Sequence, residues 1–196
     1  MNRKTNDKIK WLTQTGALTA LLVVVQAVTS SFGNTLITGS LVNLLLIEAV
    51  LLAGLSSGIT IAFLSPFFAK LLGIGPLWSL IPFIALGNMV LVLLWHFLTK
   101  AFALRRQAST TSSSKGIGIF PSSSLLTTAI FAALGKFLVL YIGIVRIMVP
   151  YILVLPSPQA DKISVMFSVP QLGTALIGGG IAGICYPMTK KVQNFD

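Results

Sequence analysis

The sequence GSLVNLLLIEAVLLAGLSSG, residues 39–58, decides the fold class because it is apolar for nearly its whole length. A helix of about 20 residues is long enough to cross a hydrocarbon core of ~30 Å. This stretch nevertheless carries a carboxylate, Glu48, near its middle, although the whole chain has only four acidic residues. A charged side chain inside an apolar span is costly, so Glu48 needs a partner or a polar cavity.

The composition of the whole chain is that of an integral membrane protein. The 196 residues have a mean hydropathy of +0.91, and charged residues make up 9%, against ~25% in soluble domains. Six apolar runs predict an all-α bundle of six transmembrane helices in a single domain, residues 1–196. The runs are 11–28, 36–55, 59–72, 77–98, 125–149 and 169–188. The basic start of the first run also fits a cleaved signal peptide, but its length favours a retained helix.

The positions of the basic residues predict the orientation of this bundle. The formal net charge is +10, and most basic residues fall on one side of a six-helix arrangement. They are Arg3, Lys4, Lys8, Lys10, Lys100, Arg105, Arg106, Lys115, Lys190 and Lys191. The positive-inside rule makes that side cytoplasmic, so both termini and a Ser/Thr-rich linker at 105–124 are expected there. The excess charge therefore indicates membrane topology, and no nucleic-acid partner is expected.

The sequence contains no motif for catalysis or nucleotide binding. Gly135 and Lys136 are followed by Phe137 and lack the upstream glycine of a phosphate loop. His96 is the only histidine and Cys185 the only cysteine, so neither a metal site nor a disulfide is expected. We expect no enzymatic activity and no cofactor. If a solute is moved uphill, another chain must hydrolyse the ATP.

Two ionisable side chains lie deep within predicted helices, Glu48 in the second run and Lys136 in the fifth. Each is more than ten residues from the start of its run, which at ~1.5 Å per residue places both near the bilayer midplane. We expect them to form a buried ion pair, or else to contact a polar substrate directly.

Other polar side chains fall towards the outer half of the bundle. They are Gln26, Asn34, Asn43, Asn88, Tyr141, Arg146 and Gln171. Cations also outnumber acids in this half, so an outer cavity would favour an anionic or strongly hydrogen-bonding solute. Each of these side chains could equally join two helices. The segment 150–168 contains three prolines and is expected to fold over the outer end as a lid.

Small residues at four-residue spacing mark two faces for close helix contact. In the sixth run they are Ala175, Gly179 and Gly183, which we expect to pack inside this chain. In the first run they are Gly16 and Ala20, for which packing inside the chain and contact with another protein remain open.

Four stretches of the sequence resemble one known family. They are WLTQTGALTALLVVVQA, GSLVNLLLIEAVLLAGLSSGITIAFLSPFFAKLLGIGPLWSLIPFIALGNMVLVLLW, ALGKFLVLYIGIV and VPQLGTALIGGGIAG. Following a basic N-terminus, they resemble the substrate-binding S components of energy-coupling factor transporters over residues 9–190. The resemblance implies a six-helix subunit of the bacterial cell membrane that captures a vitamin or its precursor from outside. It also implies partners, namely a transmembrane coupling subunit and two ATPases.

The same resemblance implies where the functional residues lie. The family docks on its coupling subunit through an Ala-x-x-x-Ala face on helix 1, which Gly16 and Ala20 match with glycine in place of the first alanine. The resemblance implies a substrate between the outer ends of helices 4 to 6 and under the loops that join helices 1 to 2 and 3 to 4. Seven side chains are thereby placed near the ligand: Asn34, Trp78, Asn88, Lys136, Tyr141, Arg146 and Gln171.

The outer cations favour a vitamin with a carboxylate, such as pantothenate or a folate, while cobalamin, riboflavin, a pyrimidine precursor and a queuosine precursor remain open. Two other protein classes remain open as well. A self-sufficient channel or secondary carrier would use Glu48 and Lys136 as its coupling element. A membrane scaffold subunit would bind no ligand.

Overall fold

All the elements that the structure describes are helical. In this computed structural model, residues 3–75, 77–109, 122–153 and 155–193 are described. In chain order the elements are α1 (Arg3–Ser30), α2 (Thr35–Leu71), a 3-10 turn (Trp78–Leu80), α3 (Ile81–Ser109), α4 (Ser122–Leu140), a segment of wider π-type turns (Tyr141–Ile152), α5 (Ser157–Met166) and α6 (Val169–Gln193). The predicted all-α class is therefore confirmed for these ranges.

Five helical stretches within the described residues are long and apolar enough to cross a membrane. They are Thr5–Ser30, Thr35–Leu71, Trp78–Arg105, Ser123–Ile152 and Ser157–Thr189. They indicate that the protein is embedded in a membrane. The number is five where six runs were predicted, because runs 36–55 and 59–72 both belong to α2.

Helix α2 is broken at Gly54, where the chain reverses. Gly54 has φ 86° and ψ 174°, a backbone conformation that is essentially restricted to glycine. A Cβ atom built on Gly58 would lie 3.4 Å from the Cα of Val50, whereas residues eight apart in a straight helix are separated by ~12 Å. The two arms of α2, residues 35–53 and 55–71, therefore run back along each other.

Helix α1 packs against this reversal. Trp11 Nε1 donates a hydrogen bond to Ser56 Oγ at 3.0 Å, and Thr15 Oγ1 donates to the buried Ser57 Oγ at 2.8 Å. Hydrogen bonds between hydroxyl groups of neighbouring helices are a typical means of joining helices in lipid. The reversal thus lies at the end of the bundle that carries the N-terminal part of α1.

The main apolar core lies between α1, α2, α3, α4 and α6. Helix α6 approaches α2 closely at Gly178, where a Cβ atom would lie 2.6 Å from the carbonyl oxygen of Ser40. The predicted small-residue face of α6 packs inside the chain as expected. Its central member, Gly179, lies against Ala129 of α4 and Trp95 of α3.

A second apolar cluster closes the opposite end of the bundle. It contains Leu80, Leu140, Ile144, Met148 and Phe167. Part of the segment 150–168, expected as a lid, forms helix α5, in which no residue is buried. The predicted linker at 105–124 overlaps the end of α3 and the start of α4, and residues 110–121 lie outside the described part of the chain.

Candidate functional site

A cavity of about 160 Å³ lies at the end of the bundle opposite the start of α1 and the end of α6. Helices α1, α2, α3, α4 and α6 all contribute to its wall. Its polar lining residues are Gln26, Thr38, Ser65, Lys70, Asn88, Lys136 and Gln171. Apolar side chains, among them Val42, Ile84 and Phe167, complete the wall. The cavity therefore combines an apolar wall with a small set of polar groups, which is typical of a site for a small molecule.

Lys136 of α4 is the central polar group of this cavity. Its side chain is only 4% exposed. Its Nζ donates to Asn43 Oδ1 at 2.6 Å and to Asn88 Oδ1 at 2.7 Å. Hydrogen bonds from a charged donor are short and strong, so the two asparagines fix the position of the ammonium group.

The two asparagines are themselves oriented by hydroxyl groups. Asn43 Nδ2 donates to Thr174 Oγ1 at 3.3 Å, and Asn88 Nδ2 donates to Ser65 Oγ at 3.2 Å. Because each amide nitrogen has its own acceptor, each amide oxygen faces Lys136. The resulting network joins both arms of α2 with α3, α4 and α6.

The ammonium group of Lys136 retains one donor for a ligand. An ammonium has three N–H donors, and Asn43 and Asn88 accept two of them. Within the described ranges, the third has no protein acceptor and no carboxylate pairs with Lys136. A buried cation without a counter-charge is energetically unfavourable. The cavity, which Lys136 lines, therefore favours an anion.

Gln26 of α1 supplies a second uncommitted polar group. It is 5% exposed and lines the same cavity, and its Oε1 is buried with no hydrogen-bond partner among the described residues. Lys70, half-buried in the last turn of α2, adds another positive charge to the lining. The amide nitrogen of Gln171 is bonded within the protein, since its Nε2 donates to Met166 O at 3.3 Å.

The cavity brings together three of the seven side chains that the sequence predicted near a substrate: Asn88, Lys136 and Gln171. Asn34 is exposed and caps α2, because its Oδ1 accepts from Leu36 N at 2.9 Å. Trp78 is 57% exposed and lies outside the cavity lining.

Tyr141 and Arg146 also lie outside the cavity lining. The ring of Tyr141 stacks on Phe137 with a centroid separation of 5.5 Å. The guanidinium carbon of the exposed Arg146 lies 5.9 Å from the centroid of the Tyr141 ring, a cation–π arrangement. In the structure these two residues thus contact each other and not the cavity.

The expected ion pair between Glu48 and Lys136 is not formed in the described part of the chain. Glu48 Oε2 accepts a hydrogen bond from Thr189 Oγ1 of α6 at 2.9 Å, while α2 presents Asn43 to Lys136. Glu48 follows Asn43 by five residues, which is ~7.5 Å along a helix and on a different face. Position along a run gives the depth of a residue only approximately and does not give the direction of its side chain, so the sequence could not exclude this pair.

Gly16 and Ala20, the predicted docking residues, lie on an exposed face of α1. No heavy atom lies within 4 Å of the position that a Cβ on Gly16 would occupy. Within the described ranges this face is therefore free to contact lipid or another protein.

Three residues of the site were not predicted from the sequence to lie there. Gln26 and Asn43 were placed in the outer polar group but not at the site, and Ser65 was not singled out. The first two could have been found, because an amide within an apolar run needs a polar partner. Ser65 gives no such signal, because a serine hydroxyl can bond to the backbone of its own helix.

Comparison with known proteins adds no assignment: no protein-family model, curated protein or solved structure matches the chain. Among the described residues there is also no group of three or more His, Cys, Asp or Glu side chains that could hold a metal ion.

Proposed function

We propose that the protein is the substrate-binding subunit of an ATP-driven importer, of the same kind as the S components of energy-coupling factor transporters. It would capture a small water-soluble vitamin or vitamin precursor from outside a bacterial cell. The observation that carries this proposal is the cavity with the buried Lys136 at one end of an apolar bundle. Burying an ammonium group is costly. A ligand that accepts its third hydrogen bond would offset part of that cost.

The proposed topology has six spans, with the two arms of α2 crossing the membrane separately. Both termini would then be cytoplasmic and the cavity would open to the outside. The charge distribution supports this orientation, because most basic residues fall near the termini and in the predicted linker, the side that the positive-inside rule assigns to the cytoplasm.

The proposed partners supply the energy. The sequence has no phosphate loop, so a transmembrane coupling subunit and two ATPase subunits would drive transport. The exposed face of α1 around Gly16 and Ala20 would meet the coupling subunit, since small residues allow two helices to approach closely in lipid.

The size of the cavity bears on the substrate. Its volume of about 160 Å³ is close to that of an engineered cavity of ~150 Å³ that binds benzene. It can enclose one end of an acid the size of pantothenate, whereas most of a folate would lie outside it. Between the two acids that the charge favours, pantothenate is therefore the better fit.

Reconstitution into proteoliposomes tests the proposal. The ligand is first identified by mass spectrometry of the small molecule retained by the purified protein. We expect the protein alone to bind this ligand, and to accumulate it only when the coupling subunit, the ATPases and ATP are present. Accumulation by the protein alone would instead identify a self-sufficient carrier, and the lack of any ligand binding would identify a scaffold subunit.

A further inference from the structure

We infer that the cavity selects a small organic acid that also carries a hydrogen-bond donor, a hydroxyl or N–H group, separate from its carboxylate. This substrate class rests on the proposed function for its biological role. Its chemistry follows from two uncommitted groups in the cavity, a donor on Lys136 and an acceptor on Gln26.

Lys136 selects for a carboxylate over a neutral acceptor. Its two bonded partners, the amide oxygens of Asn43 and Asn88, carry no net charge. A ligand carbonyl would accept the third hydrogen bond but leave the positive charge unneutralised, whereas a carboxylate does both. The cavity lining that the structure describes contains a second cation, Lys70, and no acidic side chain. A cationic ligand is therefore disfavoured.

Gln26 selects for a donor on the ligand. Its Oε1 is buried without a partner in the described part of the chain, and a buried acceptor left unpaired is costly. A ligand hydroxyl or N–H group would satisfy it. Gln26 belongs to α1 and Lys136 to α4, and both line the same cavity, so one ligand can contact both groups.

The remaining wall sets the size and shape of the ligand between these two contacts. Val42, Ile84 and Phe167 provide apolar surface, which suits a short hydrocarbon segment. By comparison with cavities of known occupancy, the enclosed part holds roughly six to ten non-hydrogen atoms. A branched hydroxy acid of five carbons matches all three features.

Binding of a matched series of small probes to the purified protein tests this inference. The probes are 3-methylbutanoate, its derivatives with a hydroxyl on carbon 2, 3 or 4, and the primary amide of each acid. We expect at least one hydroxy acid to bind, with a Kd lower by about tenfold than that of 3-methylbutanoate and of its own amide. Isothermal calorimetry in lipid nanodiscs measures these constants.

Variants of Gln26 and Lys136 test which side chain is responsible for each preference. Gln26→Leu should remove the preference for the hydroxyl but keep the preference for acid over amide. Lys136→Met should remove the preference for acid over amide. Lys162→Met is the matched control, because Lys162 is exposed on α5 and the same loss of charge there should change neither preference. If Lys136→Met does not fold, the comparison of acids with amides on the unaltered protein still decides the question.

Equal binding of acids and amides, a preference for 3-methylbutanoate over its hydroxy derivatives, or no binding of any acid would overturn the inference. The outcome is separable from that of the proposed function. ATP-dependent uptake of a neutral or cationic solute by the complete transporter would leave the function standing and overturn the inference. Binding of a hydroxy acid without any ATP-dependent uptake of it would support the inference and overturn the proposed function.

Discussion

Lys136 Nζ donates to Asn43 Oδ1 over 2.6 Å, although the two residues lie 93 positions apart in the chain. Asn43 precedes Gly54 by 11 residues, and Ser65, on the other branch of the same network, follows Gly54 by 11 residues. The reversal at Gly54 thus brings both arms of α2 to the same level beside one lysine. The backbone of a single glycine therefore determines where these two side chains lie relative to Lys136.

Gly54→Ala should lower the free energy of unfolding by about 1–3 kcal/mol, because alanine is strained at the backbone angles of Gly54. Affinity for the retained ligand should fall with it, since Asn43 and Ser65 would shift relative to Lys136. Equilibrium unfolding in mixed detergent micelles and calorimetry measure the two effects. The control is Gly16→Ala, where the added methyl group meets no other atom within 4 Å. Equal stability of the two variants would contradict the role assigned to the reversal.

Two glycines of α6 provide a matched pair for testing its contact with α2. Gly178→Ala would place a methyl group 2.7 Å from Asn43 Cβ, whereas nothing lies within 4 Å of the corresponding position on Gly180. We expect Gly178→Ala to cost about 1–3 kcal/mol of stability through overpacking, and to weaken ligand binding because Asn43 must move. Gly180→Ala should leave both quantities unchanged. Thermal unfolding and ligand titration of the two variants side by side provide the measurement.

A double-mutant cycle tests whether Glu48 and Lys136 act together. Their separate partners lead us to expect that the effects of Glu48→Gln and Lys136→Met on the free energy of unfolding add to within about 0.5 kcal/mol. The cycle of Asn88→Ala with Lys136→Met should instead show a coupling of about 0.5–3 kcal/mol, because these two residues are hydrogen-bonded. A similar coupling between Glu48 and Lys136 in the first cycle would show that the two side chains interact, as the sequence predicted.

We expect Asn34 to stabilise the protein by capping the start of α2. Asn34→Ala removes the oxygen that accepts from Leu36 N and should lower the free energy of unfolding by about 0.5–2 kcal/mol. Asn34→Asp keeps a capping oxygen and should stay close to the unaltered protein. Unfolding titrations of both variants measure the difference, and an equal loss in both would show that Asn34 has some role other than capping.

The helices could be predicted from the sequence because hydropathy over some 20 residues is a strong signal for spans of this length. A reversal between runs 36–55 and 59–72 was also expected, but its position at Gly54 without a loop was not, since a glycine within an apolar run looks like the small residues that membrane helices use for packing. Only the backbone angles distinguish the two roles.

The site could be predicted in part for a similar reason. Lys136 and Asn88 stand out as polar groups inside apolar runs, and the structure places both at the cavity. Position along a run gives depth, but not the direction of a side chain around the helix axis. Glu48 was therefore paired with Lys136, while Asn43, five residues earlier on the same helix, is the residue that contacts it.

The arms of α2 meet at Gly54 without a loop. No loop residues between Asn43 and Ser65 can therefore absorb a change in chain length. One extra residue in either arm would turn everything beyond it by ~100° around the helix axis, and the network would lose one of its two branches. The spacing of these two residues is thus fixed to the single residue. An insertion or deletion there should be more damaging than almost any exchange of one apolar side chain for another.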